Sequence, residues 1–489
     1  MIEDPETSGP SPEGEPRQGQ RSVEPIFGHR GPRSALTVLS RLVQRKPETR
    51  PMLETFLGRH LGTLAETALD VVMETGASAG DVLADVLETR AGFDLAERLL
   101  VRFEGRPYRT SPALRRCGLA VTRKVLDVWE ARGSDTVERA AKLCYLWHNL
   151  CSWLEALGQS EAATSAAERA LAWSDILAER TPRRYRLRRA ICLGTYAARL
   201  AAAGRITEAL EPRSQAITIL RDLTGETPED DDGTEHLSRL LLQQSIAYKE
   251  LRRFEQALLL AREAVEIRAR LTRRSVSLER EHVNSLDHLA RCLSACGLEP
   301  ESLEAAREAA RICERLANER PSSFATDVAR SLSNLSIAER TAGHLDSSLE
   351  ASHAALWWIE RAKREWDHLP AGLEQYRASI LVNEGLTLLR AGKPERALEV
   401  LADTVEARRA LTADGLPQAW DRLALALANR SAILLAMDRN DEALASLDEA
   451  IAIRGRLAAE EPDVYAEGLR RNRRVRERLA GRRSRRASS

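Results

Sequence analysis

The chain has 489 residues, and its 73 Lys and Arg residues are balanced by 73 Asp and Glu residues, so its formal net charge is zero. Hydrophobic residues make up 43% of the chain, aromatic residues 4% and charged residues 30%, which is typical of stacked amphipathic helices and argues against a β-fold. A balanced charge gives no global sign of nucleic-acid binding. The seven cysteines are odd in number and irregularly spaced, and no apolar stretch approaches the roughly eighteen residues of a membrane span. We therefore expect a reduced, cytoplasmic protein that does not enter a membrane.

The N-terminal part of the chain divides into a polar tail and a helical region. Residues 1–26 contain five Pro, three Gly and six acidic residues against two Arg, a composition that predicts a disordered acidic tail. Residues 27–135 show helical periodicity without a repeated phrase, and we expect a helical cap or degenerate repeats there. The candidate helices of this region are Ala35–Gln44, Met52–Glu74, Gly80–Gly105 (with a break at Gly92) and Pro112–Arg132.

Between residues 136 and 461 one phrase recurs seven times. It consists of a turn residue, four variable residues, and then a small residue that is usually followed by Leu. The turn residues stand 45 to 49 positions apart, at Gly158, Gly204, Arg252, Gly297, Gly343, Gly392 and Asp438. Apolar or small residues precede the turns in a 3.6-residue period, with departures at Glu384 and Gly385 in the sixth unit and at Arg430 in the seventh. In the first, third and fourth units, small residues follow the turn at positions five, nine and twelve. Each unit therefore predicts a pair of closely packed helices, with glycine favoured at the turn for its left-handed conformation.

The first unit carries the most complete version of this pattern, on Trp147, Leu150, Cys151, Leu154, Gly158, Ala163, Ala167 and Ala170. This pattern resembles the signature of the tetratricopeptide repeat family. The period is longer than the usual one and resembles the variety found in kinesin light chains and in bacterial signalling proteins. The resemblance covers residues 136–461 and implies an all-α, right-handed superhelical solenoid of antiparallel helix pairs. In that architecture the first helix of each pair lines the concave face.

The C-terminal segment, residues 462–489, is predicted to form a capping helix and an Arg-rich tail. The helix is expected at Asp463–Ala480, behind Pro462 and with Asp463 as its N-cap. Residues 466–489 carry ten Arg against two Glu, which would allow non-specific contact with nucleic acid. The tail lacks the interleaved aromatic residues that base stacking would use.

Residue patterns that usually carry catalysis are missing from the sequence. There is no Gly-rich phosphate loop with Lys, no HExxH, no paired CxxC and no GxSxG. Cys292 and Cys296 lie one helical turn apart near His288 and could in principle hold a metal, but small core residues in a tight helix pair are the favoured interpretation. We predict no catalytic residue, no cofactor and no metal.

The resemblance also implies which residues face the groove. The position nine before each turn often carries Asn on the concave face, and here it holds Asn149, Thr195, Gln243, His288, Asn334, Asn383 and Asn429. Such a ladder could hold the backbone of an extended peptide. Alternatively, it could tie neighbouring helices together, and the sequence leaves both interpretations open.

The same register places more cations than acids on that face. The cations are Arg239, Lys249, Arg291, Arg330, Arg340 and Arg390, and the acids are Glu155, Glu250 and Asp287. This excess favours a ligand that carries Asp, Glu or a free carboxylate. The predicted peptide-binding groove comprises Asn149, Gln243, His288, Arg291, Arg330, Asn334, Arg340, Asn383, Arg390 and Asn429.

A pair of adjacent tryptophans offers another candidate contact. Trp357 and Trp358 point about 100° apart on a helix, so we expect one to pack between repeats and the other to be available to a partner. Trp366 follows two turns later.

Together these features predict a non-catalytic adaptor that captures a peptide or domain of a partner protein, with any effector on a separate polypeptide. A nucleic-acid-associated regulator that uses the Arg-rich tail is the alternative, and an enzyme or metal protein is the least favoured class.

Overall fold

The computed structural model describes residues 32–103, 111–133, 135–226, 231–273, 278–365, 371–413 and 415–487. These ranges contain twenty α-helices and no β-strand. The predicted all-α fold is therefore confirmed for the described part of the chain. The tail predicted at residues 1–26 and the side chain of Trp366 lie outside the described residues.

Within the described residues, five α-helices precede the repeats, at α1 (Pro32–Arg45), α2 (Arg50–Thr75), α3 (Ala77–Arg90), α4 (Phe93–Phe103) and α5 (Arg115–Ala131). The four candidate helices of this region are confirmed as far as the structure describes them. The third candidate is interrupted at Ala91 and Gly92 and forms two helices, and its last residues, 104 and 105, lie outside the described residues. Leucines from these helices share one hydrophobic core with Trp153 and Ala167 of the first repeat. The apolar end of the repeats is thus covered.

Seven antiparallel helix pairs follow, which confirms the tetratricopeptide-type repeats. They are α6 (Val137–Ala156) with α7 (Ser160–Arg180), α8 (Pro182–Ala202) with α9 (Ile206–Glu226), α10 (Asp231–Glu250) with α11 (Phe254–Thr272), α12 (Glu279–Ala295) with α13 (Glu299–Glu319), α14 (Pro321–Thr341) with α15 (Leu345–Glu365), α16 (Ala371–Arg390) with α17 (Pro394–Ala410), and α18 (Pro417–Ala436) with α19 (Asn440–Glu460). The small residues after each turn allow the two helices to approach closely. In the third unit, for example, Ala257, Ala261 and Ala264 are all completely buried.

The turn residues adopt the left-handed conformation expected of them. The five glycines have φ between 70° and 88°, whereas Arg252 and Asp438 adopt φ of 60° and 56° with a side chain present. An L-residue with a Cβ is strained in this region.

Replacing Arg252 by glycine is therefore expected to raise the free energy of unfolding by about 0.5–1 kcal/mol. The ion pair that Arg252 forms with Glu467 is largely exposed and contributes little to stability. Urea denaturation would measure the gain. The matched control is Arg253→Gly, because Arg253 has φ of −89° and relieves no strain. An equal gain from both substitutions would contradict the explanation.

The chain divides into two compact units, Met1–Ile219 and Leu220–Ser489. Within the second unit, the first helices of successive pairs, α10, α12, α14, α16 and α18, pack directly against one another. We call the surface that these five helices share the first-helix face.

The last helix, α20, spans Pro462–Ala487. The prediction of Asp463 as its N-cap is wrong, because the helix begins at Pro462, whose ring fixes a φ suited to the first turn. The helix also continues beyond the expected end at Ala480, so the backbone of the Arg-rich segment is helical as far as Ala487. Tyr465, Leu469 and Leu479 are buried, and α20 packs against α19.

None of the helices within the described ranges combines the length and the apolar character needed to cross a membrane.

Candidate functional site

The Asn residues of the predicted ladder differ in what they contact. Asn383 Nδ2 donates a hydrogen bond to Ser333 Oγ at 3.1 Å, which connects α16 to α14. Asn334 on α14 hydrogen-bonds to the carboxylate of Asp287 on α12. Asn149 belongs to the first unit of the chain and is only 8% exposed. Asn334 and Asn383 thus tie neighbouring first helices together, as the alternative interpretation expects.

Two other residues of the ladder differ from these. One has a polar atom without a hydrogen bond from the described residues, and the other lines a cavity. Gln243 Oε1 is buried and accepts no hydrogen bond from the described residues. Asn429 lines a cavity of about 450 Å³ between α18 and α20, beside Leu425 and Val464. Both apolar side chains are exposed, at 47% and 62%.

His288 lies inside the protein and not on its surface, with 2% exposure. Arg291 Nη2 donates to its Nδ1 at 3.4 Å, so the proton is on Nε2, which lies 2.8 Å from Ser245 Oγ. Ser245 in turn donates to the carbonyl oxygen of Ala257 at 2.6 Å. Burial, followed by the charges of Arg291 and Lys249, lowers the pKa of His288 to about 3. His288 is therefore a neutral link between helices, and we leave it out of the contact surface.

The cysteine near His288 is also part of the core. Cys292 is completely buried, and its Sγ lies 3.3 Å from His288 Nε2. The interpretation of Cys292 as a core residue is confirmed, whereas Cys296 is half-buried. The described ranges contain no group of three or more His, Cys, Asp or Glu side chains arranged to hold a metal ion.

Asp287 and Arg330 were both predicted on the groove surface, but in the structure they form an ion pair with each other. The Asp287 side chain is 1% exposed, and its Oδ2 lies 3.7 Å from Arg330 Nη1. Ser331 Oγ donates to Asp287 Oδ1 at 3.2 Å. Arg330 also pairs with Asp327 at 3.2 Å. Burial raises the pKa of Asp287, and the Arg330 charge opposes that rise. The positive charge of Arg330 is thus compensated internally.

Arg340 and Arg390, in contrast, have no acidic partner among the described residues. Arg390 Nη1 donates to the carbonyl oxygen of Arg340 at 2.8 Å, which brings the two residues together across α14 and α16. Arg340 is half-buried, and its Nε is buried without a hydrogen-bond acceptor in the described part of the chain. Burial and the neighbouring charge of Arg390 lower the pKa of Arg340. Two cations therefore share this part of the first-helix face without a counter-ion from the described ranges.

A row of exposed residues on the first helices adds two isoleucines to the predicted groove residue Arg291. It occupies the position six before each turn and contains Ile246 on α10, Arg291 on α12 and Ile337 on α14. Each isoleucine is 37% exposed. Arg291 is exposed and donates from Nε to the carbonyl oxygen of Asp287 at 3.3 Å. The signal that could have revealed this row is the same spacing that revealed the Asn ladder, read three residues further along each helix.

The prediction that one tryptophan of the adjacent pair packs in the core is confirmed, and the role of the other as a partner contact stays a prediction. Trp358 is buried and Trp357 is 50% exposed, and their rings meet edge to face at 5.0 Å. The Arg361 guanidinium lies over both rings. These residues belong to α15, which is a second helix, so they are not on the first-helix face.

No protein-family model and no curated protein matches the chain. Solved structures with similar helix arrangements include BtubC (BKLC) from P. vanneervenii, which is 17% identical over 52% of this chain and 92% of that chain, with a TM-score of 0.40. A putative kinesin light chain from Podosopora anserina with TPR-like repeats is 21% identical over 47% and 100%, with a TM-score of 0.37. Aspartyl phosphate phosphatase F from Bacillus subtilis is 10% identical over 89% and 96%, with a TM-score of 0.45. At these identities the similarity concerns the fold alone.

Proposed function

We propose that this protein is a non-catalytic adaptor whose first-helix face binds an acidic segment of a partner protein. The observation that carries the proposal is the pair Arg340 and Arg390, two neighbouring cations for which the described residues supply no carboxylate. Repeat proteins of stacked helix pairs present extended surfaces that are suited to binding another chain.

A carboxylate placed between the two guanidinium groups would relieve their repulsion. Charge-assisted bonds from a guanidinium group to a carboxylate are stronger than neutral hydrogen bonds. Because Arg340 is half-buried, the attraction would be screened less than at a fully exposed site. Arg291 extends the positive surface along α12, whereas Arg330 is already paired with two acids. The proposed contact set is therefore Gln243, Arg291, Arg340, Arg390 and Asn429.

The test is affinity capture from the native cell with the full chain and with the double variant R340Q/R390Q. We expect the variant to recover about tenfold less of the partner, since two charge-assisted contacts are lost. The matched control is Arg396→Gln, because Arg396 is an exposed cation on the second helix α17.

Three outcomes are informative. Selective loss in the double variant supports the proposal, provided that circular dichroism shows an unchanged helix content. Undiminished capture by the folded double variant contradicts it. Recovery of nucleic acid that is lost when residues 466–489 are deleted would instead favour the alternative function through α20.

A further inference from the structure

The residues six positions before the turns are apolar, cationic and apolar on three successive first helices. Ile246 and Ile337 are large apolar side chains left 37% exposed, and Arg291 lies between them in the repeat order. Arg291 forms no ion pair with a described residue, and its guanidinium contacts only the Asp287 carbonyl oxygen and the neutral His288. An exposed cation without an acidic partner among the described residues favours a ligand that brings a carboxylate, and the two partly exposed isoleucines offer apolar contacts on either side of it.

The spacing of this row limits the conformation of a ligand that could contact all three residues. The helices that carry them pack directly side by side, and packed helices have axes about 8–10 Å apart. A polyproline II chain turns once every three residues and rises about 3.1 Å per residue, so one turn covers about 9 Å. Its residues i, i+3 and i+6 would therefore point to successive first helices. An extended β-strand fits less well, because its side chains return to one face about every 6.6 Å.

We propose that the first-helix face binds a polyproline II segment with an apolar residue, an acidic residue three positions later, and an apolar residue after three more. The two isoleucines contact the apolar side chains, and Arg291 pairs with the carboxylate. The pattern is symmetric, so it applies to either chain direction. This inference rests on the proposed function, since it takes the partner segment to bind this face.

The experiment measures binding of a fluorescein-labelled, end-capped heptapeptide, LPSEPSL, to the full chain by fluorescence anisotropy. We expect saturable binding. Moving the acid by one position (LPESPSL) or replacing it by lysine (LPSKPSL) should weaken binding about fivefold, as the loss of an exposed charge pair does. Replacing both prolines by glycine should also weaken binding, because the free peptide then has more conformations to lose.

Variants of the protein identify the surface. R291E should weaken binding of LPSEPSL and strengthen binding of LPSKPSL, a charge swap that a merely structural effect would not produce. I246S and I337S should each weaken binding. The matched control Leu259→Ser, at an apolar side chain 69% exposed on the second helix α11, should leave binding unchanged.

Absence of binding up to about 1 mM peptide would overturn this inference, as would equal binding of the glutamate and lysine peptides to wild type and R291E. Its failure is separable from failure of the proposed function. If R340Q/R390Q loses its natural partner while the peptides do not bind, the adaptor function stands and only the ligand pattern is wrong.

Discussion

Replacing Arg330 by alanine is expected to lower the free energy of unfolding by about 3 kcal/mol, the lower end of the range for removing one member of a buried ion pair, since Arg330 itself is partly exposed. The reason is Asp287, which is 1% exposed and has its only ion pair within the described residues with Arg330, at 3.7 Å. Without the guanidinium, the carboxylate would retain the neutral donors Ser331 and Asn334 but no counter-ion. Urea denaturation at pH 7 measures the loss.

The dependence of this loss on pH identifies its cause. Burial raises the pKa of Asp287 above the ordinary value of 3.8, and removal of Arg330 should raise the pKa further. Between the unfolded and folded pKa values the native state then binds more protons than the unfolded chain, so stability falls as pH rises through that window. The deficit of R330A relative to wild type should be small near about pH 4 and largest at neutral pH.

The double variant R330A/D287N provides the control. An amide at position 287 carries no charge, so the double variant should recover most of the lost stability at pH 7. A deficit that does not change with pH, or that persists with D287N, would show that Asp287 is not the cause. The result also matters for function, because loss of partner binding in an Arg330 variant would report a damaged repeat and not a lost contact.

Replacing Gly80 by alanine is expected to lower the free energy of unfolding of the compact unit Met1–Ile219 by about 3 kcal/mol. A side chain that overlaps backbone atoms cannot avoid them by changing its rotamer. A Cβ at this position of α3 would collide with the carbonyl oxygen of Ala113, in the short 3-10 helix Pro112–Leu114, and would lie 3.1 Å from Val72 Cγ1. The chain before α5 therefore packs directly on α3 only because residue 80 lacks a side chain. Thermal or urea denaturation measures the effect.

Gly62→Ala is the matched control for this substitution. Gly62 lies inside α2, and a Cβ there would have no atom within 4 Å. Alanine at this position should stabilise the protein by about 0.5–1 kcal/mol, because it removes the conformational cost of a mid-helix glycine. Equal effects of the two substitutions would contradict the argument that close packing is what requires Gly80.

Several features could be predicted from the sequence because they depend on residues close together in the chain. The seven helix pairs follow from apolar periodicity, and the turn residues follow from glycine spacing, which Arg252 and Asp438 respect in backbone conformation despite their side chains. The break at Ala91–Gly92 is another local effect. The N-cap prediction at Asp463 failed locally as well, because Pro462 already suits the first helical position.

The candidate site was predicted only in part. The sequence register identifies which residues belong to the first helices, but the same register treats Arg330 and Arg340 alike. The structure separates them, because Arg330 meets Asp287 and Asp327 while Arg340 meets only another arginine, Arg390. The register also places His288 on the groove surface, whereas in the structure it is hydrogen-bonded to Ser245 of the preceding repeat.

The sequence by itself therefore determined the fold class, the repeat period and the conformation of the turns, since each is set by interactions over a few residues. Tertiary structure decided which polar side chains form hydrogen bonds or ion pairs with other described residues and which do not. Partners such as Ser333 for Asn383 stand about fifty positions apart in the chain, so the packing of one repeat on the next, and no local pattern, brings them together.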